Sequence, residues 1–175
     1  MSDLTLLETE RLVLSGWTMD QVDDLVRLHG DARVARYLDA DGQPWGRTKC
    51  EARVALWREN FTSQRMGKMR VERKSDGMLV GRAGFGLHGE RGEPEIGYAM
   101  FPEHHGHGYA TEAASALRDW LFRETDWMYF LGFADVRNAP SLAVLSRIGM
   151  VRTHVDQLDG QAAQFHIMHK GQCRS

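Results

Sequence analysis

The sequence predicts one mixed α/β (α+β) domain: a largely antiparallel sheet of about seven strands flanked by helices. Three observations carry that expectation. The chain has 175 residues, 42% of them apolar and 26% charged, which suits one domain with a sizeable core over 1–175. The apolar period changes from helical to alternating after about Gln64, so strands dominate the later part of the chain. One predicted strand ends in a glycine-rich turn that opens directly into a helical pattern.

The elements follow in order. "RLVLSGW" (Arg11–Trp17) alternates enough to be a first strand. Thr18 with Gln21 three residues on reads as a capping box, and Val22, Leu25, Val26 and Leu28 form the apolar stripe of the next helix. A short helix follows Asp31 in "DARVARYL", and "ADGQPWG" (Ala40–Gly46) is a loop by its glycines and proline. Thr48 to about Gln64 is helical again, with Val54, Leu56, Trp57 and Phe61 as core candidates. "KMRVERK" alternates, "SDGM" is a hairpin turn, and "LVGRAGFGL" is the returning strand. "EPEIGYAMF" (Glu93–Phe101) is another strand. After the glycine turn, Ala110, Ala113, Ala114, Leu117, Trp120 and Leu121 recur at helical spacing. "WMYFLGFADV" (Trp127–Val136) is the next strand. Asn138 caps a short helix that tolerates Pro140 in its first turn and ends at Gly149. "MVRTHVDQL" and "AAQFHIMHK" close the chain as two further strands.

Composition excludes several functions. A formal net charge of −2 leaves no basic footprint for a nucleic acid. The start "MSDLTLLETERLVL" is not built as a secretory signal, and the apolar run Trp127–Val136 is too short to span a bilayer. Cys50 and Cys173 lie far apart and make no disulfide framework, which points to a reducing, cytoplasmic setting. Cys50 itself reads as structural.

The stretch "MFPEHHGHGYATEA" (Met100–Ala113) carries the most chemistry. The first N–H groups of a helix lack internal partners, and its dipole favours negative charge at that end. Gly106 and Gly108 permit positive φ and remove side chains where a phosphate must approach closely. The loop therefore reads as a phosphate cradle, although it is neither a P-loop nor a GxGxxG fingerprint. His104, His105 and His107 raise the question of zinc. Consecutive residues of one short loop seldom converge on an ion, however, and neither cysteine is near. We read them as loop residues beside an anion, with His105 or His107 able to assist it when protonated.

"EIGYAMFPEHHGHGYATEA" resembles the central motif of the GNAT N-acetyltransferase superfamily, in particular its RimJ/RimL-type branch. "ETERLVLSGWTMDQ", "LVGRAGFG" and "VRNAPSLAVLSRIGM" match that branch in the same order, so the resemblance runs from about Leu7 to Arg152. It implies the GNAT-type fold, with the phosphate-loop motif at about 97–113 and the NxxS motif at 138–141. It also implies acetyl-CoA as donor, a primary amine (a protein N-terminus or a small molecule) as acceptor, and no metal. The pyrophosphate would rest on backbone N–H groups of Gly106, His107, Gly108, Tyr109, Ala110 and Thr111. The pantetheine would pair with the strand edge at Tyr98, Met100 and Phe101, and an N–H near Met100 would polarise the thioester carbonyl. In many relatives the loop opens with Gln or Arg, where this chain has Glu103; the backbone cradle is unaffected.

By the same resemblance, Ser141 is the acid toward the departing thiolate and Asn138 a contact to the pantetheine, while both also suit helix capping. Direct transfer in a ternary complex requires no nucleophilic cysteine. Glu95, two residues before Gly97, is the candidate base, and His88 is the alternative because its ordinary pKa lies near neutrality. Glu112 complements the helix dipole. Tyr98 and Tyr109 combine packing with a polar tip. Trp17, Trp45, Trp57 and Tyr37, together with the "DADGQPWG" loop, belong either to the acceptor pocket or to the core. A homodimer is common in the branch, but no residue pattern here encodes one. The reading from another class is a non-catalytic module that binds CoA or acyl-CoA; retention of Asn138, Ser141 and Glu95 favours the enzyme.

Overall fold

The strands β1 (Thr5–Glu8), β2 (Leu12–Ser15), β3 (Gly67–Arg73), β4 (Leu79–His88), β5 (Glu93–Met100), β6 (Tyr129–Asp135), β7 (Val151–Leu158) and β8 (Gln161–His169) form one sheet, ordered β1-β2-β3-β4-β5-β6-β8-β7. The structure is a computed structural model and describes residues 3–172, so Cys173 lies outside the described residues. Every neighbouring pair is antiparallel except β5 and β6. The sheet has one strand more than the seven expected. Thr5–Glu8 is too short to signal itself, and it becomes a strand by pairing back on β2, with Glu8 opposite Val13.

The helices are α1 (Val22–His29), α2 (Ala32–Ala35), α3 (Arg47–Gln64), α4 (Tyr109–Glu124) and α5 (Ala139–Arg147). Gln21 reaches back to the Thr18 N–H at 2.9 Å, and Asp31 caps α2. α5 ends at Gly149 with φ +93°, where the Met150 N–H returns to the Leu145 carbonyl at 3.1 Å. On α3, Cys50, Val54, Trp57 and Phe61 are buried on one stripe, whereas Leu56 is 43% exposed. The expectation for Leu56 fails because it falls off the i, i+4, i+7 stripe.

The two faces of the sheet differ. On one, α4 lays Ala113, Ala114, Leu117 and Leu121 into a cluster with Met69, Val71, Ala83, Phe85, Ile96 and Phe130. On the other, α1 and α3 form a cluster of Trp17, Trp45, Trp57, Leu25, Cys50 and Val54 over a polar sheet surface. Register explains that polarity. Lys68 lies opposite Gly84, which lies opposite Gly97; Arg70 lies opposite Arg82, which lies opposite Ala99. Strand alternation then puts these cations and glycines on one face and the apolar residues on the other. No helix among the described residues is long and apolar enough to cross a membrane.

Candidate active site

β5 and β6 pair only at Glu95–Leu131 and Ile96–Gly132, and beyond that point they part. Phe101 donates its N–H to Val80 on the β4 side at 3.0 Å. Alternation therefore turns the N–H groups of Tyr98 and Met100 toward the opening. Gly132 lets α5 pack close to the gap: a Cβ there would lie 2.7 Å from Leu145 Cδ2. At the start of α5, the Asn138 side chain accepts from the Ser141 N–H at 3.4 Å, so the capping role is real. The Tyr98 hydroxyl donates to the Ser141 carbonyl at 2.7 Å, and Ser141 Oγ lies 3.3 Å from that hydroxyl as its donor. Burial raises the Tyr98 phenol well above its ordinary value, so it is a neutral donor at physiological pH.

The polar face holds the other half of the site. Lys68 stretches across Gly84 and Gly97 to place Nζ 3.1 Å from Glu95 Oε2 and 3.2 Å from the Gly84 carbonyl. A Cβ at Gly97 would stand 2.6 Å from that Nζ, which is a reason for glycine there. Burial pulls the Lys68 ammonium below its usual pKa, and the Glu95 charge opposes the shift. Further along, Arg82 Nε donates to His29 Nε2 at 2.9 Å, and the His29 ring stacks on Trp45 at 3.8 Å. Burial, followed by the Arg82 charge, drives His29 down to about 2, so it is a neutral acceptor.

One cleft of about 190 Å³ is lined by Glu95, Gly97, Tyr98, Asn138 and Ser141 together with Lys68, Arg82, Tyr37, Asp39 and Phe133, while His29 lies behind Arg82 and outside the lining. The cleft thus brings together Glu95, Asn138 and Ser141, three residues separated in sequence. His88 is not in its lining; it ends β4 and its ring packs on Phe133 at 4.9 Å. Of the aromatics left open between pocket and core, Tyr37 lines the cleft, while Trp17, Trp45 and Trp57 are core. Asp39 and Ala40, at the start of the "DADGQPWG" loop, line the cleft.

The glycine loop lies beyond the end of β5. Gly106 and Gly108 adopt φ +80° and +79°, and α4 begins at Tyr109 with Gly108 as its N-cap and no capping side chain. Its first N–H groups are therefore free to meet an anion. Added Cβ atoms would meet nothing within 4 Å at Gly106 and only Arg11 Nη2, at 3.6 Å, at Gly108. The histidine rings diverge. His104 is buried between Phe101 and Tyr109, His105 Nε2 sits 3.0 Å from the Met100 carbonyl, and His107 stacks on Tyr109 at 5.5 Å. No group of three metal-ligating side chains converges among the described residues. Glu103 is exposed. Glu112 accepts from Thr9 Oγ1 at 2.6 Å and from the Arg11 backbone at 2.9 Å, and it pairs with the Arg11 guanidinium at 2.6 Å. Burial would raise its pKa, but these hydrogen bonds outweigh that and hold it below the usual value.

Lys68, Arg82 and His29 do not announce themselves in the sequence. The available signal was the polar alternation in "KMRVERK" beside the glycines of "GRAGFG", which marks one sheet face as not apolar.

A sheet that opens between two parallel strands beside a bare helix N-terminus suits an extended ligand with an anionic group. The Acetyltransferase (GNAT) domain model matches residues 11–151, and the chain belongs to that family. It is 27% identical over 145 residues to the uncharacterized N-acetyltransferase p20 of Bacillus licheniformis, covering 81% of this chain and 80% of that protein. Among solved structures, an acetyltransferase from Agrobacterium tumefaciens matches with TM-score 0.81 and 26% identity, over 97% of this chain and 96% of that one. Mycobacterium smegmatis RimJ, solved with CoA-disulfide, matches with TM-score 0.78 and 20% identity, over 94% and 84%, and so shares the fold.

Proposed function

We propose that this chain is an acetyl-CoA-dependent N-acetyltransferase that moves an acetyl group to a primary amine by direct transfer. The observation that carries it is the cleft itself, in which Glu95, Asn138, Ser141 and Tyr98 meet where β5 and β6 part. The donor's anionic groups fit the uncapped start of α4, and its extended arm fits the free N–H groups of Tyr98 and Met100. Acetyl-CoA supplies the activated thioester. The Met100 N–H is aimed to polarise its carbonyl. Glu95 Oε2 is held by Lys68, while Oε1 has no protein donor among the described residues and is the basic oxygen. It takes the first proton from the arriving ammonium, directly or through water. The C–N bond then forms as the C–S bond breaks; Ser141, joined to Tyr98, gives its proton to the thiolate and is reprotonated by the second proton the amine nitrogen loses, while the first leaves Glu95 for water. The free, buried Cys50 suits a reducing compartment such as the cytoplasm.

Calorimetric titration of acetyl-CoA into the wild type and Gly108→Asp tests the donor site. The aspartate side chain has room beside Arg11 but is strained at φ +79°, so a thermal melt checks that the variant folds; it places a carboxylate where the phosphates would bind. Binding to the wild type and a loss of about 100-fold or more in the variant is expected. No binding to the wild type overturns the reading.

A further inference from the structure

The sheet face under α1 and α3 carries three buried or nearly buried cations. Lys68 is paired with Glu95 at 3.1 Å, and Arg70 with Asp24 at 2.7 Å and Glu72 at 3.5 Å. Arg82 is different. It is 6% exposed, its Nε is spent on His29, and its Nη1 and Nη2 have no acceptor among the described residues. The contact it does make carries no opposite charge, since His29 is neutral. Its guanidinium carbon lies 5.5 Å from the Trp57 ring centroid, so one side of the plane is covered by an aromatic face. Burial lowers its pKa to about 10, which still leaves it charged at neutral pH.

An isolated buried cation costs several kcal/mol unless something compensates it. Among the acids that line the same cleft, Glu95 and Asp39 support its charge through space, but none makes an ion pair or a hydrogen bond with it. Asp39 accepts from Trp45 Nε1 and pairs with Lys49, Asp135 pairs with Arg137 at 2.6 Å, and Glu95 Oε2 is taken by Lys68. Asp159 is exposed at the β7–β8 turn. Arg82 nevertheless lines the cleft with Glu95 and Ser141. A planar fork of N–H donors facing a cleft matches a carboxylate bidentately. The cleft volume, about 190 Å³, falls below the roughly 300–1,000 Å³ of sites for drug-sized ligands.

We propose that Arg82 is the carboxylate subsite of the acceptor pocket, and that the acceptor is a small amino carboxylate of amino-acid size. Its carboxylate sits on Nη1 and Nη2 of Arg82, and its amine is presented toward Glu95. The inference rests on the acetyltransferase reading above. It goes further by stating what the amine must carry.

The test uses the full chain with acetyl-CoA and the protein amino acids, each beside its own α-carboxamide, following release of free thiol. Removing the carboxylate's charge should raise KM roughly 10- to 100-fold, because a charge-assisted pair with a buried group is lost. Arg82→Gln should raise KM for the amino acid by a similar factor while leaving the carboxamide and acetyl-CoA unaffected. Arg82→Lys, which keeps the charge and loses the fork, should fall between. The comparison on wild type needs no variant, so a misfolded Arg82→Gln does not spoil it. Equal use of acid and amide, or acetyl-CoA bound with no amino carboxylate accepted, overturns this proposal alone. Preference for peptide amides that begin with Asp or Glu over every free amino acid also overturns it, because the carboxylate then belongs to a protein N-terminus. Absence of acetyl-CoA binding removes the underlying activity instead, and the two failures are separately visible.

Discussion

The proposed donor and acceptor ends of the site are built from different materials. The donor end is backbone: bare N–H groups at the start of α4, two glycines at positive φ, and a strand edge left open past Ile96. The acceptor end is side chain: half-buried Lys68 and Glu95, with buried Arg82 and His29 packed on Trp57 and Trp45, brought from three strands and a helix. Backbone donors are uncharged and do not titrate, so the donor end tolerates changes in its flanking side chains. Buried charges must be partnered one by one, so the acceptor end is sensitive to each residue and to pH. A scaffold arranged this way can keep one donor while its acceptor end is rebuilt.

The largest expected effect separates the two ends directly. Glu95→Gln should lower kcat by about 100- to 10,000-fold and leave the acetyl-CoA Kd unchanged, as read by steady-state kinetics beside calorimetry. A parallel loss of donor affinity would mean that the ends are not independent.

Next comes acid sensitivity. His29 is held neutral in the fold, with a pKa of about 2 against 6.5 in an open chain. Below 6.5 the unfolded chain binds a proton that the folded one refuses, so stability present above 6.5 is lost as pH falls toward 2. Between pH 6.5 and 4.5 the wild type should lose about 2 kcal/mol more than His29→Gln, measured by urea unfolding at both pH values. Parallel losses would show that His29 protonates freely in the fold.

A smaller effect probes the foundation of the donor end. The Glu112 side chain ties the β1–β2 turn to α4, and only its backbone N–H reaches the glycine loop, at the Gly108 carbonyl. Glu112→Ala should cost about 1–2 kcal/mol of stability, since its partly exposed hydrogen bonds are each worth little, with acetyl-CoA Kd held within about threefold. A large loss of affinity would make Glu112 part of the binding site. Leu56→Gln, away from both ends and already exposed, should change stability by less than about 0.5 kcal/mol in the same melts.

Most of the fold could be read from residue patterns. The caps at Thr18, Asp31 and Asn138, the stop at Gly149 and the hairpin at "SDGM" are local arrangements, and local sequence carries them. β1 could not be read, because a four-residue strand exists only through its partner. Leu56 was misplaced because one apolar residue beside a stripe looks the same as one on it.

The site divides along the same line. The glycine loop, the NxxS motif and Glu95 were legible because each sits in a contiguous stretch whose chemistry is short-range. What the sequence by itself determined is therefore the family, the glycine loop that opens α4 and, β1 apart, the order of elements. Only the tertiary structure decided that Lys68 would reach Glu95 across Gly84 and Gly97, that Tyr98 would meet Ser141, and that Arg82 would line the cleft without an ion-pair partner among the described residues. The physical reason is register. Strands distant in the chain are aligned residue by residue through their ladders, and burial then makes the charges set side by side energetically important.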